Sequence, residues 1–365
     1  MLSDPQIHYL DNAATTRVDP AVTEVIHDAL VELWANPSSL YDPAVAAQDG
    51  IETARARIAK TLHCRSDEIY FTACGSESNN MAIYGAAMPR RHWGNKIVVT
   101  GFEHPSVQLP IRALKEEGFT VVEIAPERDG HIDTEKFLAA VDKNTVLAAC
   151  MAVNNETGAR QDIAALAKGI KAKNSRTHFH VDAVQAWLRI PIDLQKWPGV
   201  DTLSVSGHKI HAPKGIGALF VRDSQRQTLH PPYVGGHQER GMRPGTEAVP
   251  NIAAFAKACE IRMAHFDEDY AHVQELADYL KQQVSAELVK PDENHDFSLL
   301  SVILAAGETD KSVLKKLKKL SDERKYQSGK HGWSSIRLAV VDLDTHKVHT
   351  NRMGDSLKNI LQPLV

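Results

Sequence analysis

Short apolar runs alternate with helical segments along the first 225 residues, and this alternation constrains the fold more than any other feature. Strand-length runs fall at 68–72, 96–100, 120–124, 145–153, 178–182, 202–206 and 218–221. A repeated strand–helix–strand order builds a mainly parallel sheet covered by helices on both faces. The expectation is an α/β fold: a large domain on a mainly parallel seven-stranded sheet, then a smaller α+β C-terminal domain. Asp19-Pro20 opens a helix to about 34, with Asp as cap and Pro in the first turn. A second helix covers 43–62, with an apolar stripe through Ile51, Ala54, Ile58 and Leu62. A long helix from 251 into 265, continuing over 267–288, bridges to the smaller domain. That domain carries strands at 297–304 and 335–340 and helices at 311–320 and 354–361.

Composition removes several function classes. A net charge of -4 gives no footprint for nucleic acid or an anionic membrane. No apolar run approaches the roughly 18 residues of a membrane span, and the first residues show no basic and apolar leader, so no signal peptide is expected. The four cysteines are widely spaced and form no CxxC pair, which argues against zinc or a disulfide framework and fits a reducing cytoplasm.

Polar groups recur at strand carboxyl ends, where open α/β sheets bind ligands. After 202–206 comes GHKIHAPKGIG, a pair of turns that would hold Lys209 rigidly between two strands. A desolvated lysine there suits a Schiff base with pyridoxal phosphate (PLP), although a surface lysine has the same local sequence. After 68–72, ACGSESNN leads into a helix expected over 81–88. A Gly/Ser turn at a helix N-terminus favours phosphate, and an ordinary strand-to-helix turn has the same composition. His104, after 96–100, could stack on an aromatic cofactor or shuttle protons, or simply cap a helix. Asp182 could pair with a pyridine nitrogen and keep it protonated, or serve as an N-cap. A dense polar loop, GGHQERGMRPGT at 235–246, is too charged for core and too specific for a linker.

Taken together, the chain resembles the cysteine desulfurases, in the class V aminotransferase group of fold-type I PLP-dependent transferases. The matching pieces are YLDNAATT, NPSS, TACGSESNN, EHPSV, NNETG, HVDAVQA, SGHKIHAPKGIGAL, GGHQERGMRPGT and SIR, in order from residue 9 to about 340. The resemblance implies that Lys209 attaches pyridoxal 5'-phosphate, that His104 stacks on its ring and moves protons, and that Asp182 pairs with the ring nitrogen. It implies that Gln185 contacts the ring's phenolic oxygen, and that Gly75, Ser76, Ser206 and His208 hold the phosphate, with Thr246 reaching in from a partner subunit. Asn155 falls among the cofactor contacts and, with Arg337, would grip the substrate carboxylate; Asn12 and Ala13 would line the substrate pocket. Residues 15–255 would form the large PLP-binding domain, and 1–14 with 256–365 the small one. A homodimer, an L-cysteine substrate and a sulfur-acceptor protein are the implied partners.

The sequence departs from this pattern where the family carries a reactive cysteine on a loop before the SIR strand. Residues 320–334 contain none. Of the four cysteines, Cys74 is the best placed, because a helix N-terminus lowers a thiol pKa; Cys64, Cys150 and Cys259 read as structural. Thr157 for an apolar residue and Pro244 for a small polar one are milder departures. Three functions follow: a desulfurase using Cys74 or a partner's thiol, a PLP lyase eliminating a β-substituent from cysteine or a selenium or disulfide analogue, and a weakly catalytic partner protein in sulfur trafficking.

Overall fold

A computed structural model describes residues 11–127, 129–284, 301–306, 337–342 and 347–350, with side chains through 276. By internal contacts the chain divides after Tyr270 into two units. In the first, helix α1 spans Pro20–Glu32 and α2 spans Asp42–Leu62. Asp19 caps α1 by accepting from the Ala21 N–H (2.8 Å), with Pro20 in the first turn as expected. The stripe of Ile51, Ala54, Ile58 and Leu62 on α2 is buried.

The sheet comprises β1 (Ile69–Thr72), β2 (Lys96–Thr100), β3 (Thr120–Ile124), β4 (Thr145–Met151), β5 (His178–Asp182), β6 (Thr202–Ser206) and β7 (Gly217–Val221). Its seven strands run in the order β1-β7-β6-β5-β4-β2-β3. The pairs among β2 to β6 are parallel, and β7 alone runs against its neighbours β6 and β1. The carboxyl ends of β1, β2, β4, β5 and β6 therefore share one sheet edge. Helices α3 (Gly75–Arg90), α4 (Pro105–Glu116), α5 (Thr134–Ala140), α6 (Ile163–Lys173) and α7 (Val249–Ala264) complete the layers.

Apolar side chains collect on both sides of the sheet. One cluster joins α2, α5, α6 and α7 to the sheet and includes Phe137, Phe179 and Phe220. Trp187 and Phe255 meet edge to face within it, 5.3 Å between centroids. The other joins α3 and α4 through Met81, Ile83, Val107 and Ile111. Burying side chains of this size stabilises the fold by about 1.5–3 kcal/mol each.

One expectation needs correction. Helix α3 begins at Gly75, not near 81, so GSESNN is helix rather than loop. Small polar residues favour turns in isolation because their side chains compete for backbone hydrogen bonds. Here Ser78 and Asn79 point inward and spend that capacity elsewhere: Ser78 Oγ lies 2.8 Å from Thr72 Oγ1, and Asn79 is enclosed in a polar network.

Past Tyr270, helix α8 (Phe266–Val284) continues into the second unit, where β8 (Ser301–Ala306), β9 (Arg337–Asp342) and β10 (Lys347–Thr350) form a three-stranded sheet ordered β10-β9-β8. β8 and β9 pair in parallel, with Ser301 opposite Arg337. The expected helices at 311–320 and 354–361 and the 320–334 stretch lie outside the described residues.

Candidate active site

Lys209 ends a 3-10 turn, Gly207–Lys209, that leaves β6 directly. The turn is pinned by Gly207 N–H to Ile216 O (3.0 Å) and Ile210 N–H to Gly207 O (3.0 Å). A β-carbon at Gly207 would come within 2.7 Å of Ile216 Cγ2, so only glycine lets the two turns close on each other. The Lys209 ammonium donates to the carbonyls of Ala13 and Ala14, the latter at 2.8 Å. Burial lowers its pKa, and the positive charge of Arg189 lowers it further. A lowered pKa makes a free amine, the nucleophilic form, available nearer neutral pH.

The N-terminal loop is tied to this turn. Thr16 N–H and Oγ1–H both donate to His208 O at 2.9 Å, and the His208 ring meets Thr15 Oγ1 at 3.1 Å. Burial and nearby Lys209 push the His208 pKa down to about 4, so the ring is neutral. Gln185 Nε2 donates to Ala13 O (2.8 Å). Arg189 joins three pieces: it donates to Gln185 Oε1 (2.5 Å), Asn12 O (3.0 Å) and Lys209 O (3.0 Å). The structure thus brings Asn12, Ala13, Gln185, His208 and Lys209 together.

Asp182, the last residue of β5, is buried. Its Oδ1 accepts from Val184 N–H (2.9 Å) and its Oδ2 from Asn79 Nδ2 (2.8 Å). Burial raises its pKa, and these two donors oppose the rise. His104 caps α4: its Nδ1 takes the Ser106 N–H at 3.1 Å and lies 2.7 Å from Ser106 Oγ. Its pKa is lowered by desolvation, with Asp182 opposing and Lys209 reinforcing the shift. The capping role and a place beside Asp182 and Lys209 therefore coexist in one residue.

Behind Asp182 runs a chain of enclosed polar groups. His178 Nε2 and His180 Nδ1 each lie 2.9 Å from Thr202 Oγ1, and His180 Nε2 lies 2.9 Å from Asn79 Oδ1. Burial lowers both histidines, His180 to about 3, so both are neutral. Glu103 is also enclosed. Its Oε1 accepts from Met151 N–H (2.5 Å) and Thr100 Oγ1, while Oε2 has no partner among the described residues. Burial raises its pKa to about 8, so it is largely protonated at neutral pH.

The first turn of α3 has donors to offer an anion. The first intrahelical bond is Ser78 N–H to Cys74 O (3.1 Å), which leaves the amides of Gly75, Ser76 and Glu77 ahead of it. Ser206 Oγ is enclosed and has no partner among the described residues. A β-carbon at Gly75 would lie 2.7 Å from Val184 Cγ2 and 3.5 Å from Ser206 Cβ, so the backbone approaches closely where a side chain would not fit. An unpartnered hydroxyl beside free helix amides fits a phosphate.

Not every expected residue joins the cluster. Asn155 is half-buried after β4, and it is Asn154 that shapes the turn: Nδ2 donates to Phe102 O (3.1 Å), and Oδ1 accepts from the Glu156 and Thr157 amides at 2.9 and 2.8 Å. Thr157 Oγ1 also donates to that oxygen (3.1 Å), giving the polar residue at this position a local use. Thr246 is exposed on the 235–246 loop, and no hydrogen bond among the described residues links it to Lys209. That loop is anchored by Glu239, which accepts from Arg55 (2.7 and 3.0 Å) and from Phe71 N–H (2.8 Å). Arg337 opens β9. Among the cysteines, burial pushes Cys64 and Cys259 up to about 12 and Cys150 well above its usual value; half-buried Cys74 sits at the N-cap of α3.

Sequence reading missed Asn79, Glu103 and Arg189. The first two stand inside motifs already singled out, Asn79 in GSESNN and Glu103 beside His104. Arg189 carried no signal, since two of its three partners are backbone carbonyls, Asn12 O and Lys209 O, remote in sequence.

A lysine, an acid and a histidine at the carboxyl edge of a mainly parallel sheet, beside a helix N-terminus that fits a phosphate, match a fold-type I PLP-dependent enzyme. Residues 8–319 match the class-V aminotransferase family. The chain is 41% identical over 293 residues to the cysteine desulfurase of Nostoc sp., covering 80% of this chain and 71% of that one. It is 39% identical over 276 residues to the cysteine desulfurase IscS of Dictyoglomus turgidum, covering 76% and 69%. Among solved structures, a NifS-like protein superposes with a TM-score of 0.74 at 36% identity, covering 78% of each chain. SspA in complex with cysteine superposes at 0.66 with 37% identity, covering 70% and 72%. The chain belongs to the cysteine desulfurase family of class-V aminotransferases, and it is PLP-dependent. No described helix is long and apolar enough to cross a membrane.

Proposed function

We propose that this protein cleaves the C–S bond of L-cysteine and mobilises its sulfur. The observation that carries the reading is the half-buried Lys209 amine, its pKa lowered, held by the Ala13 and Ala14 carbonyls on the same sheet edge as Asp182 and His104. The names of relatives near 40% identity support cysteine as substrate. When bound, the cofactor supplies an electron sink that acidifies the substrate α-carbon.

The remaining work falls to side chains of the chain. Lys209 would hold the cofactor covalently, and its amine would take the α-proton of the substrate. Asp182 would keep the ring nitrogen protonated, His104 would cover the ring and relay protons, and Gln185 would bind the phenolic oxygen. Gly75, Ser76, Ser206 and His208 hold the phosphate, with Thr246 supplied by the second copy in a homodimer. Asn155 and Arg337 bind the substrate carboxylate, and Asn12 and Ala13 bound the pocket. In this assignment residues 15–255 carry the cofactor, and 1–14 with 256–365 form the smaller domain. The four unpaired cysteines support a reducing, cytoplasmic location.

In desulfuration a thiolate takes sulfur from the substrate, forming a persulfide, while the β-carbon gains a proton and leaves as alanine. Either Cys74 or the thiol of a sulfur-acceptor protein fills that role. A second reading, β-elimination to pyruvate, ammonia and sulfide, is favoured by one observation: 320–334 lacks cysteine, and three of the four thiols are held protonated by burial. Product analysis of the PLP-loaded protein given L-cysteine and a reducing thiol decides. Alanine with sulfide supports desulfuration, and Cys74→Ser then locates the thiol. Pyruvate and ammonia replace that reading with the lyase.

A further inference from the structure

We propose that Asn79 and Ser106 are positioning residues that lock His104 into one tautomer, with its proton on Nε2, and tie it to Asp182. This rests on the assignment of Asp182 and His104 to the cofactor site.

The hydrogen directions are fixed by elimination. The Asn79 NH2 faces Asp182 Oδ2 and donates to it at 2.8 Å. The opposite side agrees: Asn79 Oδ1 accepts from Ser204 Oγ–H (2.6 Å) and from His180 Nε2–H (2.9 Å). The second amide hydrogen of Asn79 goes to Ser106 Oγ, also at 2.8 Å. All four hydrogen-bonding positions of this wholly buried amide are thereby used. Ser106 Oγ, having accepted, sends its own hydrogen to His104 Nδ1 at 2.7 Å. The Ser106 amide reaches the same nitrogen at 3.1 Å. With two donors aimed at it, Nδ1 holds no proton while the ring is neutral. The proton of neutral His104 is on Nε2, which has no protein partner among the described residues. The site-facing group of His104 is thus a donor.

Protonating Nδ1 would require Ser106 Oγ to turn its hydrogen away and would set two N–H groups against each other. Asn79 and Ser106 consequently favour neutral His104, as the positive charge of Lys209 does, while the negative charge of Asp182 opposes them; His208, itself neutral, is the other titratable group that acts there.

The test is nitrogen-15 NMR of histidine-labelled, cofactor-free protein, with the His104 signal assigned by its loss in His104→Asn. In the wild type, neutral His104 should show pyridine-type Nδ1 and pyrrole-type Nε2. Ser106→Ala should raise the His104 titration midpoint by about half to one pH unit, because one donor to the neutral form is lost. Asn79→Ala should weaken PLP binding about tenfold, through the lost donor to Asp182. Should the buried Asn79 variant fail to fold, the half-buried Ser106 variant still decides. A wild-type proton on Nδ1, or an unchanged tautomer and midpoint in Ser106→Ala, overturns the proposal. Neither result depends on turnover, so the tautomer can stand if cysteine proves not to be the substrate.

Discussion

Arg55 and Glu239, 184 positions apart, form an enclosed two-pronged ion pair at 2.7 and 3.0 Å, with side-chain exposures of 3% and 2%. Glu239 also takes the Phe71 N–H of β1 and Arg55 donates to Ile69 O, so the pair fastens the 235–246 loop to α2 and to the strand leading to Gly75. Glu239 and Arg240 adopt left-handed backbone, with φ of 46° and 56°, a conformation that non-glycine residues hold only when surroundings impose it. Glu239→Ala strands a buried guanidinium and an amide and should cost about 3–5 kcal/mol. Chemical unfolding checks this; a loss under about 1 kcal/mol would mean that the pair only offsets its own desolvation.

Lys209→Ala should abolish covalent cofactor attachment while leaving the sheet intact. Borohydride treatment of the PLP-loaded wild type, followed by peptide mass mapping, should fix the cofactor on the peptide containing residue 209. Label on any other lysine would refute the assignment.

Arg189→Met removes a positive charge that acts on Lys209, second only to burial in lowering its pKa. The Lys209 pKa should therefore rise, and the pH at which half of the protein becomes cofactor-loaded should rise with it. Arg189→Lys retains charge but cannot span three acceptors, so it should shift this midpoint less while still weakening binding. An unmoved midpoint in Arg189→Met would confine the residue to bracing the loop.

Glu103 has a signed effect on stability. Its folded pKa, about 8, lies above the value near 4.3 of an unfolded glutamate, so the native state binds the proton more tightly. Stability is unpenalised below the unfolded value and is lost as pH rises toward the folded one. Glu103→Gln should flatten the fall in stability across that window, measured as melting temperature against pH. A wild-type profile that already lacks the fall would show the carboxyl to be ionised.

Much of this architecture was legible in the chain. The strand runs, the Asp19-Pro20 cap and the α2 stripe each depend on local pattern, and each is present. Lys209, Asp182 and His104 were singled out because they follow strand ends, and the structure places all three at the carboxyl ends of β6, β5 and β2. The start of α3 was misread because Ser78 and Asn79 look like turn residues until their buried partners are known. Arg189, Asn79 and Glu103 were missed for a related reason: their importance lies in what surrounds them, and pairings such as Asn79 with Asp182 or Arg189 with Asn12 O span more of the sequence than any local pattern does.

The position of β7 in the sheet bears on how the protein comes into being. β1, whose end leads into Gly75, has β7 as its sheet partner, and β7 pairs on its other side with β6. On the ribosome, β1 is made early and waits without a strand to join until residues 217–221 emerge. The turn at Gly75 cannot take its place on the sheet edge before the chain has also made the lysine turn just upstream of β7. A nascent or truncated chain ending before β7 would carry Lys209 and Gly75 but lack the strand that brings their ends to a common edge. Completion of that sheet edge is thereby deferred until synthesis has passed all seven strands.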